Sequence, residues 1–189
     1  FMPARCANAA KPVRAVDDIH FLTREEQAIF LETAKRSHNY RQYVLLLETG
    51  LRTSELIGLT WDSIDWKKHA LTINKTLEYR HKNKCWRAGP PKTEKSYRTI
   101  PLTDRAYAVL KSCYDERDSR KESDTLSQVL EYIDRRTGRT GTLVMKDLVF
   151  INYRTGEPAK NSSYDTHLYK LCDEAGIEHF CMHALRHTY

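Results

Sequence analysis

The sequence has no long apolar run, no even set of cysteines and little of the aliphatic bulk that builds thick cores. Its longest uninterrupted apolar stretch, residues 43–47, falls far short of the ~20 residues that cross a bilayer, and no charged-then-apolar leader opens it. The expectation is a cytoplasmic protein with no membrane partner. Cys6, Cys85, Cys113, Cys172 and Cys181 are odd in number and scattered, a poor disulfide framework, so they read as reduced thiols. Leu, Ile, Val and Phe supply 40 of 189 residues, just above the roughly 20% floor below which chains stay disordered. One core under a very polar surface follows. There is no internal repeat and no low-complexity tract. The chain opens at Phe1, not at a methionine, and stops at Tyr189 inside a helical pattern, which reads as a piece of a longer protein at both ends.

What is present is positive charge, and it is local. The net charge is +6. Between residues 67 and 98, ten cations (Lys67, Lys68, Lys75, Arg80, Lys82, Lys84, Arg87, Lys92, Lys95 and Arg98) face only Glu78 and Glu94, a local +8 that leaves −2 for the rest. Basic side chains on an extended hairpin can follow a phosphate backbone and release its counterions. A solvated charged loop has the same composition, so charge alone leaves both readings open.

Residues 1–20 carry Pro3 and Pro12 and no apolar period, and read as a linker from an upstream domain; the domain proper spans residues 21–189. Thr23 with Glu26 makes a capping-box pattern that opens a helix to about Ser37. Tyr40, Tyr43, Val44, Leu47 and Leu51 recur at helical spacing, and Gly50 can end that helix in a left-handed conformation. Thr53 or Ser54 can cap a short third helix through Gly58 and Leu59, which sets Arg52 at a helix N-terminus. Leu71 and Ile73, then Leu77 and Tyr79, alternate as strands do. Residues 97–102 supply a return strand beyond a polar loop stiffened by Trp86, Pro90 and Pro91. Helical spacing resumes at Ala106, Val109, Leu110 and Cys113, at Leu126, Val129, Leu130 and Ile133, and at Tyr164, Leu168, Leu171, Cys172 and Ala175 before Gly176. Residues 148–151 form a short strand candidate, and residues 117–146 a charged excursion without an assigned role. The sum is an α+β domain, mainly helical, with a small antiparallel sheet.

His183, Arg186 and His187 share one face if the chain is helical from Cys181. A metal set of Cys172, His179, Cys181 and His183 has no common zinc spacing and would place an arginine amid its ligands, so no zinc is expected there. Read alone, the segment is a histidine and an arginine pairing with neighbours at a helix start. Arg52 and Lys92 change its meaning. A phosphodiester under attack gathers negative charge on its non-bridging oxygens, and guanidinium forks hold that charge bidentately. Arg52 beside a helix N-terminus is a ready anion site. The departing sugar oxygen needs a proton, which a lysine surrounded by cations, as Lys92 is, can deliver. His183 can share protons with the nucleophile or donate a hydrogen bond to the phosphate.

Three stretches now resemble the tyrosine recombinases, or phage integrases: Thr49-Gly50-Leu51-Arg52-Thr53-Ser54-Glu55-Leu56 with Leu59-Thr60-Trp61; Pro91-Lys92-Thr93 running on to Arg98-Thr99-Ile100-Pro101-Leu102; and His183-Ala184-Leu185-Arg186-His187-Thr188. The likeness is greatest to integrases of conjugative transposons from Gram-positive bacteria. It implies a recombinase catalytic domain, cut short at its C-terminus, with Arg52, Lys92, His183 and Arg186 catalytic and Glu55 a supporting acid. Such enzymes cut one strand of double-stranded DNA through a 3′-phosphotyrosine link, need no metal or nucleotide, and assemble as homo-tetramers on DNA to integrate and excise mobile elements. The covalent link conserves the energy of the phosphodiester across two displacements. Lys82, Lys84, Arg87, Lys95 and Arg98 are then the expected DNA-binding side chains. In the family, the nucleophilic tyrosine follows the His183-to-Arg186 motif by several tens of residues, so Tyr189 is expected to pack and not to attack. A non-enzymatic DNA-binding regulator that kept the basic hairpin is the competing reading. A metal-dependent nuclease is disfavoured because no acids cluster with His183.

Overall fold

A computed structural model describes residues 21–91, 96–117, 130–134, 137–152 and 154–189. Residues 1–20, expected as a linker and including Cys6, lie outside the described residues, as do Lys92, Lys95 and much of the charged excursion. Helix α1 (Arg24–Ala34) opens on the expected capping box: the Thr23 hydroxyl accepts from the Glu26 N–H at 3.1 Å while the Glu26 carboxylate accepts from the Thr23 N–H at 2.8 Å. It ends three residues before Ser37. Helix α2 (Tyr40–Thr49) stops where Gly50 turns left-handed at φ 59°. Its buried surface is wider than the predicted stripe, because Leu45 and Leu46 are covered as fully as Tyr43 and Val44. Helix α2 packs against α1 and against three later helices, so it runs through the core with no wholly polar face.

Helix α3 (Thr53–Ile57) follows at once and leads into a 3₁₀ turn at Trp61–Ser63. Neither Thr53 nor Ser54 caps α3. The cap position is Arg52, whose N–H is accepted by the Glu55 carboxylate at 2.8 Å, so both hydroxyl residues fall inside the first turn. The strands form two sheets. In the first, β1 (Ile64–Asp65) pairs antiparallel with β2 (Ala70–Ile73), which pairs antiparallel with β5 (Arg98–Pro101). In the second, β3 (Thr76–Arg80) and β4 (Cys85–Gly89) make a hairpin. β4 also runs parallel to β6 (Leu130–Ile133), and β6 pairs antiparallel with β7 (Thr140–Leu143).

Two expectations change here. The supposed polar loop contains β4, because Trp86 and Ala88 alternate inward opposite Tyr79 and Leu77. Residues 130–133 are a strand and not part of a helix: the edge of β4 offers the backbone a ladder that overrides the helical spacing. The remainder of that predicted helix lies outside the described residues. The strand candidate at 148–151 makes a single antiparallel bridge, Leu148 to Thr60, and its apolar side chains drop into the core. Helix α4 (Asp104–Asp115) is capped by Thr103, whose hydroxyl accepts from the Ala106 N–H at 3.1 Å. Helix α5 (Asn161–Ala175) ends on left-handed Gly176 at φ 66°, and α6 (Met182–Thr188) packs on α2.

Candidate active site

Glu55 is the centre of the site. Its carboxylate is 1% exposed, at the third position of α3. One oxygen, Oε1, accepts from Arg52 Nη1 at 2.9 Å and Arg98 Nη1 at 3.1 Å. The other, Oε2, accepts from the Arg52 N–H and from Arg98 Nη2, each at 2.8 Å, and lies 3.9 Å from Arg186 Nη1. Three guanidinium groups from α3, β5 and α6 thus surround one buried carboxylate. Burial alone would push the Glu55 carboxyl up, but the hydrogen bonds from Arg98 and Arg52 outweigh it and hold the group below the ordinary 4.5.

The two outer arginines keep donors in reserve. Arg52 is 41% exposed and spends Nη1 on Glu55 and on the Ser96 hydroxyl at 3.3 Å; its Nε and Nη2 make no hydrogen bond to the described residues. Arg186 spends Nη1 on the Gly50 carbonyl, across 136 residues of sequence. Burial, then repulsion from Arg52, lowers its proton affinity. His183 lies one turn before Arg186 on α6, with its ring 4.4 Å from that of His187 in an edge-to-face contact. Burial first, then His187, Arg186 and Arg52, hold the His183 imidazole below its ordinary value, which favours the neutral ring at pH 7. The cluster carries three permanent positive charges against one negative, which suits a group that develops negative charge.

The predicted residues Arg52, Glu55, Arg98, His183 and Arg186 therefore meet. Gly50 and Ser96 join them without having been assigned to the site: Gly50 reads as a helix terminator within the first resembling stretch, and Ser96 lies 44 residues from Arg52. A cleft runs from Arg52, Ser54 and Glu55 along the base of the β3–β4 hairpin to Pro90 and Pro91. At the far end of the hairpin, Lys82 and Lys84 stand exposed in the turn. Arg87 behaves otherwise. It is 12% exposed and its guanidinium is bound by Glu78, its cross-strand partner, with Nε at 3.0 Å. Tyr189 lays its ring against Gly50, where a Cβ would stand 2.7 Å from its Cδ1. His179 bonds Asp173 at 2.7 Å and stacks on Tyr169, and among the described residues no three His, Cys, Asp or Glu side chains gather where an ion could sit. Nor is any described helix long and apolar enough to cross a membrane.

The N-terminus of a short helix, a sheet edge and a late helix thus gather three guanidinium groups around one buried carboxylate. The chain belongs to the phage integrase family, whose profile matches residues 20–189. It is 29% identical over 180 residues to the transposase of transposon Tn916 from Enterococcus faecalis, covering 89% of this chain and 39% of the transposase. It is 27% identical over 173 residues to a XerC-like tyrosine recombinase from Caldanaerobacter subterraneus subsp. tengcongensis, covering 87% and 41%. Among solved structures, the Tn1549 transposon integrase in complex with circular intermediate DNA matches with a TM-score of 0.70 at 22% identity, covering 90% of this chain and 52% of that one. The fold is that of a tyrosine-recombinase catalytic domain. The chain spans about two fifths of the length of the curated relatives it matches.

Proposed function

We propose that this domain is the catalytic part of a site-specific recombinase that cuts and rejoins double-stranded DNA through a 3′-phosphotyrosine intermediate, moving a conjugative element into and out of a chromosome. The observation that carries the reading is the convergence of Arg52 and Arg186, each with unspent donors, on the carboxylate of Glu55 beside His183. On this reading the two guanidinium forks hold the non-bridging oxygens as charge develops, and their positions are preset, so little reorganisation opposes the step. Neutral His183 exchanges a proton with the attacking hydroxyl or donates to the phosphate. Lys92 protonates the departing 5′-oxygen, and Lys82, Lys84 and Lys95 track the backbone. The nucleophile belongs to sequence downstream of Tyr189, and the 189-residue chain does not exchange strands by itself. The complete protein works as a homo-tetramer on DNA.

A protein extended through that downstream tyrosine is expected to form a covalent adduct on nicked recombination-site DNA, read as a shifted band on a denaturing gel. Arg52→Ala or Arg186→Ala should abolish it. Adduct formation that survives either change rejects the arginine roles. Tight duplex binding with no adduct from the parent protein selects the non-enzymatic regulator instead.

A further inference from the structure

Three guanidinium groups meet Glu55, but they do not spend their donors alike. Arg52 and Arg186 each commit only Nη1 to the described residues and keep Nε and Nη2 for a ligand. Arg98 commits both terminal nitrogens: Nη1 to Glu55 Oε1 at 3.1 Å and to the Ser96 carbonyl at 3.2 Å, and Nη2 to Glu55 Oε2 at 2.8 Å. Its fork is closed on the carboxylate. Arg98 is only 25% exposed and is mounted at the first position of β5, where it pairs with Ile73 of β2, so its backbone cannot drift. Arg52 engages the same two oxygens, donating to Oε2 from its own N–H and to Oε1 from its Nη1.

We infer that Arg98 is a positioning residue, which locks the Glu55 carboxylate to the edge of the β1–β2–β5 sheet and through it aims Arg52 and the N-terminus of α3 at the scissile phosphate. This differs from the backbone-contact role that charge density assigns to Arg98, and it rests on the recombinase reading given above. The charge balance favours it. One carboxylate offsets only one of the three positive charges, so the cluster stays net positive towards a ligand, and Arg52 and Arg186 still hold Nε and Nη2 for it. Ser96 reinforces the arrangement: its carbonyl accepts from Arg98 and its hydroxyl from Arg52, so a residue two positions before β5 ties both arginines.

The test separates aiming from gripping. In the complete recombinase, Arg98→Gln is expected to leave duplex affinity within about twofold and the salt slope unchanged. It should slow single-turnover nicking at saturating DNA by about a hundredfold, the usual result of a misplacement near 1 Å. Arg98→Lys, which keeps the charge without the fork, should recover only part of that loss. Arg98→Gln combined with Glu55→Gln should be no slower than the slower single variant, because both act through one contact. A phosphate-contact role predicts the reverse: weaker binding, a salt slope reduced by about one, and an unchanged rate at saturation. Those results overturn the inference. If the parent protein does not nick DNA, the recombinase reading fails and the positioning role is still measurable in the 189-residue chain. There Arg98→Gln should raise the Glu55 pKa, followed by carbon NMR, and shift the Arg52 Nε–H resonance. Two unmoved signals would reject the role of Arg98 by themselves.

Discussion

At Gly50 three requirements fall on a single residue. It ends α2 in the left-handed region, with its N–H on the Leu46 carbonyl at 2.9 Å; its own carbonyl receives Arg186; and its missing Cβ admits the Tyr189 ring. A side chain at φ 59° costs about 1–2 kcal/mol, and here it must also displace an aromatic ring. Gly50→Ala should therefore lower the urea midpoint by the equivalent of about 1–2 kcal/mol or more at unchanged m-value. An unchanged midpoint would show that the left-handed turn is not required. The helix-ending role is legible in sequence, because a glycine after a 3.6-residue apolar period has one common reading. The Arg186 contact is not, since no local rule links residues 136 apart.

Helix α3 has five residues, too few to stand alone, so its stability is borrowed from what holds its ends. At its C-terminal end Gly58 lies flat against β3, where a Cβ would stand 2.8 Å from the Leu77 nitrogen. At the other end Glu55 ties the cap to β5. The Glu55 carboxyl is held below its ordinary 4.5, so its contribution is present in full above that value and is lost as pH falls through the lower, folded-state value. Glu55→Gln leaves three buried or half-buried guanidinium groups with an amide in place of their counter-charge, and should cost about 3–5 kcal/mol at pH 7. The difference from the parent protein should shrink as pH drops below 4.5, in denaturant melts taken from pH 7 to pH 3. A difference that stays constant over that range would mean the carboxylate charge contributes nothing. Other elements show where periodicity stops informing. The Thr23 capping box and the Gly176 stop were readable because they are local chemistry. Residues 130–133 were not, because Leu126, Val129, Leu130 and Ile133 carry helical spacing and only the edge of β4 turned the segment into a strand.

For the whole molecule, the consequence of charge placement is that the cations of the basic segment divide into exposed and paired ones. Lys82 and Lys84 stand exposed in the β3–β4 turn, while Arg87 is held by Glu78 and Arg98 by Glu55. Duplex binding by this domain should weaken steeply with salt, and Lys82→Ala and Lys84→Ala should each flatten the plot of log K against log salt by about one unit. Arg87→Ala should leave that slope alone and act on hairpin stability instead. Equal slopes for all three variants and the parent would place the phosphate contacts elsewhere. The sequence by itself determined the residue types, the order of the motifs, the helix ends and the concentration of cations, because each is set by chemistry within a few residues. Which cations are free was decided only by the tertiary structure. A guanidinium's partner depends on what the fold carries beside it, and here α3, β5 and α6 bring Arg52, Arg98 and Arg186 from three distant parts of the chain to one carboxylate.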